Sequence, residues 1–315
     1  MIRIGSIIFL LILSEQIIEA QCCASHGNPI GGTVNIGLLD KNIFRIASFY
    51  RISYSDKYFI GDKLYTGEIG TLKRAVYNYI GLLVGYGITD KISFGLETGY
   101  FINKTHVYKI NNESVSSHGL SDIVISFRPK IYHNSDKQIE INCALGPNIP
   151  FSRNLQRIDG VTLSRDLQPS TGSFGLVFQS NIIKEDSFRS LNFLLVNRIE
   201  KYFENKQHYI YGNTFSNSLY FSKFFPIANP ELKGLTAILQ LKNQIREKNI
   251  KEGQFVDASG SCLFFLIPQI NLSIKDNWNF FILSDIPIYQ YYNEIQFSKN
   301  TSFAVGIIKD YSLNK

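Results

Sequence analysis

Single charged residues interrupt the apolar stretches of this 315-residue chain, and they do so at alternate positions. Arg45 and Arg51 stand among Phe44, Ile46, Tyr50, Ile52 and Tyr54. Glu97 stands among Ile92, Phe94, Leu96, Tyr100 and Ile102. Asp122 and Arg128 share one parity beside Ile123, Ile125 and Phe127, and Glu140, Arg198 and Lys242 recur in the same manner. A row of such groups on one face can line a wet passage, tune its selectivity by charge or hold a plug within it. Other reactive types are sparse. Cys22, Cys23 and His26 form a Cys-Cys-x-x-His set, but adjacent cysteines lack the usual spacing of metal ligands. A disulfide within this segment or to a partner is the expectation, and Cys22 lacks the small residues before it that lipidation requires. Ser116 and Ser117 beside His118 are the one place where a hydroxyl and an imidazole could build a hydrolase. The five histidines give no metal spacing, and no Gly-rich phosphate loop or nucleophile elbow is present. Asn-x-Ser/Thr triplets at Asn103, Asn112, Asn271 and Asn300 read as chance.

The elements that must carry these charges are strands. Side chains on a strand alternate between two faces, so Ile92 to Ile102 is apolar on one side and small or polar on the other. The same alternation recurs along the chain. The clearest case sets Leu235, Ala237, Leu239 and Leu241 against Thr236, Gln240, Lys242 and Gln244. Later strands are predicted over Ser190 to Tyr202, Asn213 to Phe225, Gly234 to Arg246, Val256 to Pro268, Trp278 to Pro287 and Thr301 to Tyr311. Together they make about twelve strands of roughly ten residues, the length of a tilted membrane crossing. Composition agrees: 14% of residues are aromatic, with 24 Phe and 18 Tyr against one Met. That usage favours strands over helices.

The N-terminus joins Arg3 to the apolar run Ile7 to Leu13 and then to Ala20, which describes a secretory leader over residues 1–20. No later stretch approaches the roughly 20 apolar residues of a transmembrane helix. The net charge of +6 is spread out, without the basic cluster that nucleic-acid binding needs. Residues 21–41 read as an irregular segment, periplasmic or plugging, and residues 42–315 as one β domain.

The connections decide between a soluble sandwich and a membrane barrel. Short turns at Thr89 to Lys91, His133 to Lys137, Lys184 to Ser187 and Lys275 to Asn277 alternate with long polar loops. The long ones are Ser55 to Lys73, Lys104 to Ser117, Pro150 to Gln168, Glu247 to Gln254 and Gln290 to Asn300. Outer-membrane barrels sort their loops in this way, with tight periplasmic turns and long external loops. Burying the charged set in a dry sandwich would also cost several kcal/mol per unpaired group. Tyr50, Tyr54, Tyr77, Tyr100, Phe101, Tyr220, Trp278, Tyr291 and Tyr292 fall toward strand ends, where interfacial aromatic girdles are expected.

Four short motifs follow in order: Tyr86 to Lys91, Gly119-Leu120-Ser121-Asp122, Gly146 to Ser152 and Ser170-Thr171-Gly172-Ser173. Their succession resembles the outer-membrane barrel family named after the meta-pathway of phenol degradation, with its "YGxTD", "GxGD", "PxG" and "GTGS" signatures. Ser121, Ser152 and Ser170 stand where that pattern has Gly. The resemblance implies a transporter-like barrel, similar in architecture to fatty-acid and aromatic-hydrocarbon transporters.

The expectation is therefore an all-β, transmembrane antiparallel β-barrel of about twelve strands in the outer membrane of a Gram-negative cell. It would pass small apolar or aromatic molecules without enzymatic chemistry or cofactor. Arg45, Arg51, Glu97, Asp122, Arg128, Arg198 and Lys242 would set lumen selectivity. Its partners would be the lipid bilayer, lipopolysaccharide, the barrel assembly machinery and a small-molecule substrate. A phospholipase-like barrel hydrolase and a non-conducting structural or adhesin-like barrel are the alternatives.

Overall fold

The computed structural model describes residues 38–68 and 70–313. The leader, the Cys22, Cys23 and His26 set and most of the segment 21–41 lie outside the described residues. Twelve long antiparallel strands close on themselves: β1 (Ile43–Ser55), β2 (Leu72–Thr89), β3 (Ile92–Tyr108), β4 (Ile123–Asn134), β5 (Ile139–Ile149), β6 (Gly175–Asp186), β7 (Leu191–Tyr202), β8 (Thr214–Pro226), β9 (Leu232–Arg246), β10 (Ser261–Ile274), β11 (Trp278–Phe297) and β12 (Ser302–Ser312). Each pairs with its chain neighbours, and β1 closes the ring on β12 with Ile43 opposite Ser312 and Ser53 opposite Ser302. Closure removes the unpaired edges that an open sheet would expose to lipid.

The alternation in the sequence becomes inside and outside. On β3 the side chains of Phe94, Tyr100 and Ile102 are exposed on the outer wall, whereas Ser93 and Glu97 are buried within. Ile80 and Leu82 of β2, Ile125 and Phe127 of β4, and Leu239 and Leu241 of β9 extend the apolar belt around the outside. Water would penalise that belt, and a bilayer accommodates it. Aromatic residues with a basic neighbour mark its margins. Lys309 lays its ammonium 4.8 Å from the Trp278 ring and 5.4 Å from that of Tyr311, near the short-turn end. Arg153 lies 4.4 Å from Phe174 at the other end.

Four of the expected girdle residues are elsewhere. Tyr77, Phe101, Tyr220 and Tyr292 are buried and point inward, while Tyr50, Tyr54, Tyr100, Trp278 and Tyr291 are exposed outside. Parity decides between them, since Tyr100 and Phe101 are chain neighbours and must face opposite ways. Strand bounds also differ from expectation, as where β3 runs on to Tyr108 through the start of the loop expected from Lys104. The tenth strand runs over Ser261–Ile274 rather than Val256 to Pro268, and β11 continues through the expected loop to Phe297. Pro268 does not end β10; it sits where no ladder pair to β11 is formed, so its missing N–H leaves no gap.

Short turns join β2 to β3, β4 to β5, β6 to β7, β8 to β9 and β10 to β11 at one end. Longer connections gather at the other, where a ribbon at Tyr58–Gly61 and Lys63–Tyr65 pairs with the extension of β11. Residues 298–301 form the shortest connection on that side. Phe49 at the β1–β12 seam needs room, and glycines supply it. A Cβ at Gly81 would lie 2.2 Å from the Phe49 ring, and one at Gly306 would lie 2.4 Å from the Phe281 ring.

Candidate functional site

Inward positions of β3, β4, β5 and β7 carry a charge network. Gly95 lacks a side chain, and the Arg128 guanidinium lies across it, 2.5 Å from where a Cβ would stand. From there Arg128 Nη2 reaches Glu97 Oε1 at 3.5 Å, and Arg198 Nη1 approaches Glu97 Oε2 at 3.2 Å. Arg198 Nε donates to Glu200 Oε1 at 2.7 Å, and the Tyr202 hydroxyl donates to Glu200 Oε2 at 3.0 Å. Two carboxylates face two guanidiniums, so this wall is charge-balanced. Buried ions of this kind are tolerated when paired and hydrogen-bonded. Lys130 and Glu140 add a pair at 3.3 Å. Arg45 grips Asp310 with two bonds of 2.7 Å across the seam.

The opposite wall is apolar. Ala47, Phe49, Tyr79, Leu83, Phe101, Leu263, Phe265, Ile267, Phe281 and Leu283 form one buried cluster. It is carried by the inward positions of β1, β2, β3, β10 and β11. Within it Arg51 Nη1 donates to Asp285 Oδ2 at 2.5 Å and to Ser302 Oγ at 2.8 Å, and Ser302 Oγ donates to Asp285 at 2.7 Å. Lys242 shares the inward parity of Ile238, Gln240 and Gln244 on β9 and stands opposite Phe265 of β10. The lumen is therefore two-sided, with a charge-paired half and a greasy, aromatic half.

Asp122 has a different task. Between β4 and the short strand Ser114–Leu120 a bulge turns both Ser121 and Asp122 inward, and both are buried. The Asp122 carboxylate accepts from Ser170 Oγ at 2.6 Å, from the Thr171 amide at 3.0 Å and from Thr171 Oγ1 at 2.5 Å. Asn148 adds a further side-chain hydrogen bond. Three motifs that are far apart in the chain meet at this one carboxylate. The loop rooted there, residues 150–174, folds into the external mouth. Its single turn of 3-10 helix, Arg165–Leu167, is held on one side by Ser117, whose hydroxyl donates to the Leu167 carbonyl. Lys104 Nζ donates to the Gln168 carbonyl at 2.8 Å. On the other side the Arg165 guanidinium stacks 3.7 Å from the ring of Tyr209, itself packed on Tyr211.

The serines that depart from the motif pattern are all used. Ser121 bonds the Gly99 carbonyl at 3.1 Å and the Tyr79 hydroxyl at 3.2 Å. Ser170 holds Asp122, and Ser152 donates to the Asn154 carbonyl at 2.9 Å. The first motif works as a dock. Asn42 donates to the Gly87 carbonyl at 2.8 Å, and a Cβ at Gly87 would lie 1.9 Å from the Asp40 carbonyl. The chain entering β1 thus lies against this turn.

The residues named from the sequence fall into separate groups. Glu97, Arg128 and Arg198 meet in one network, Arg51 and Lys242 belong to the other wall, and Arg45 stands apart near the short-turn end. Asp122 takes hydroxyl and amide partners instead of Arg128. Asp285, Glu200, Lys104 and Lys299 were missed. Asp285 had a readable signal, as the one charge at the inward parity of Phe281 and Leu283. Lys104 and Lys299 had none, because both were read as loop. Of the hydrolase set, Ser116 bonds Thr105 Oγ1 at 2.9 Å and Ser117 bonds the Leu167 carbonyl; neither of these bonds involves His118.

No family model matches this chain, and no curated protein matches it in sequence. Solved structures resemble it in fold. The COG4313 outer membrane channel from Pseudomonas putida F1 superposes with a TM-score of 0.68 at 12% identity, covering 90% of this chain and 100% of the other. The β domain of the Bordetella autotransporter BrkA gives 0.49 at 10% identity, covering 84% and 99%. A Pseudomonas aeruginosa FadL homologue gives 0.40 at 10% identity, covering 88% and 91%. At 12% identity the likeness to the first of these is one of fold, an outer-membrane β-barrel.

Proposed function

We propose that this outer-membrane barrel is a passive channel for small apolar or aromatic molecules. The observation that carries the reading is the two-sided lumen. A charge-paired wall of Glu97, Arg128, Arg198 and Glu200 keeps water inside, while the facing wall of Phe49, Phe101, Phe265 and Phe281 offers a partially greasy route. A wall of aromatic side chains suits a cargo with apolar surface. The likeness to a solved outer membrane channel supports a transport role, and the order of the four motifs supports kinship with the meta-pathway family. The loop rooted on Asp122 would set the size of the external entrance. Lipopolysaccharide and phospholipid would meet the basic and aromatic margins at Arg153 and Lys309.

Uptake by intact cells tests this, because the lipopolysaccharide leaflet retards apolar solutes that a plain lipid bilayer passes. Cells producing the chain should accumulate radiolabelled benzyl alcohol faster than cells lacking it, and Phe265→Asp should reduce the difference. Equal uptake in both strains, with the protein folded in the outer membrane, would favour the non-conducting structural barrel instead.

A further inference from the structure

The charge-paired wall is neutral, but the apolar wall is not. Arg51, Lys242 and Lys299 share Asp285 as a neighbouring carboxylate, with Glu200 a further one for Lys242, and Arg51 is already bonded to Asp285 at 2.5 Å. Lys242 stands opposite Phe265 on the adjacent strand, and the Lys299 ammonium lies 5.2 Å from the centre of the same ring. Lys299 is positioned by its own backbone, whose N–H donates to the Tyr292 hydroxyl at 2.8 Å. Among the described residues neither ammonium makes a hydrogen bond or an ion pair. Both lysines are half-buried beside that aromatic ring, so each ammonium keeps donors that a ligand can use. Burial, with Lys242, Arg51 and Arg246 adding to it against Asp285, pulls the Lys299 ammonium down to about 7.

We propose that Lys242 and Lys299 bind the carboxylate of an amphipathic organic acid whose ring or chain lies on Phe265. The inference rests on the reading of the lumen as a cargo path and narrows it to organic anions. The carboxylate would bridge the two ammonium groups through charge-assisted bonds. The apolar part would continue along Leu263 and Phe281, which belong to the same buried cluster. A neutral aromatic would keep the stacking and lose the bridge.

The test is calorimetric binding to the full chain in detergent, with benzoate as probe and benzyl alcohol as its uncharged counterpart. Benzoate should bind at least about tenfold more tightly, the size of one charged hydrogen bond. Lys242→Gln and Lys299→Gln should each weaken benzoate about tenfold and leave benzyl alcohol unchanged, while Lys242→Arg should retain it. Benzoate affinity should fall as pH rises from 6 to 8, since Lys299 loses its charge near 7, and Lys299→Gln should abolish that dependence. Equal affinities for the two probes, no benzoate binding, or full affinity in both glutamine variants would overturn the proposal. Heat-shifted migration on gels reports whether each variant is folded. Lys299, in the connection 298–301, carries the test if Lys242→Gln does not fold. Failure here with benzyl alcohol uptake intact rejects the anion site alone; loss of uptake as well rejects the channel reading.

Discussion

Replacing Asp122 by Ala should free the loop 150–174 without opening the barrel. The carboxylate accepts three bonds from Ser170 and Thr171 at 2.5 to 3.0 Å, and all the groups involved are buried. Hydroxyls can rotate to new acceptors, but the Thr171 amide cannot, and a stranded buried N–H costs about 1–3 kcal/mol. Loss of the charge-assisted hydroxyl bonds adds a similar amount, and relief of the buried carboxylate returns part of it, leaving roughly 3 kcal/mol. That cost falls on the loop root, because the strands beside it keep their own ladders. A change of about 3 kcal/mol raises the open population on the order of a hundredfold. Trypsin cleavage at Arg157 or Arg165 in folded, detergent-purified protein should accelerate by that factor, and single-channel conductance should rise and become noisy. Asp122→Asn keeps an acceptor for the Thr171 amide and should have the smaller effect. Unchanged proteolysis and conductance would refute the anchoring argument. So would loss of the heat-shifted gel band, which would place Asp122 in barrel closure.

Other substitutions probe the walls. Leu96→Arg, in the middle of the lipid-facing row of β3, should destabilise the barrel by about 2–4 kcal/mol in urea-driven unfolding from lipid; a change no larger than that of Leu96→Ala would contradict the assigned orientation. Glu97→Gln leaves Arg128 and Arg198 facing each other with one carboxylate fewer and should cost about 3–5 kcal/mol. The double variant with Arg128→Gln should recover part of that loss, and a strictly additive result would mean the pair is uncoupled. Gly81→Val would drive a side chain into the Phe49 ring at the seam. The folded yield should fall and Phe49→Ala should rescue it; a well-folded single variant would show that the seam has slack.

The strands were legible because a closed barrel imposes one rule on every residue. Alternation placed Phe94 outside and Glu97 inside correctly, and the sorting of short and long connections gave the end at which each lies. What the rule does not encode is which inward positions touch. Glu97 and Arg198 stand 101 residues apart and meet inside the barrel, a relation fixed by strand register and barrel curvature. Inward Phe49, Tyr79 and Phe265 were also unreadable as a wall. An aromatic residue reads alike whether it faces lipid or fills a lumen, and only the parity of its neighbours separates the cases. The motifs were visible as a succession, but their meeting at Asp122 depended on a bulge that no single stretch announces.

The seam between the first and last strands carries a temporal meaning as well. The Arg45–Asp310 grip links residues 265 apart, and Arg51–Asp285 links residues 234 apart. Contacts of such long range form late, since the chain must lose the entropy of a very large loop before they are rewarded. The hairpins joined by short turns can zip locally and early. The nascent sheet therefore remains an open, apolar-faced ribbon until its last strand reaches its first. Through that interval its edge strands stay unpaired, and the ion pairs of the seam act as the final latch.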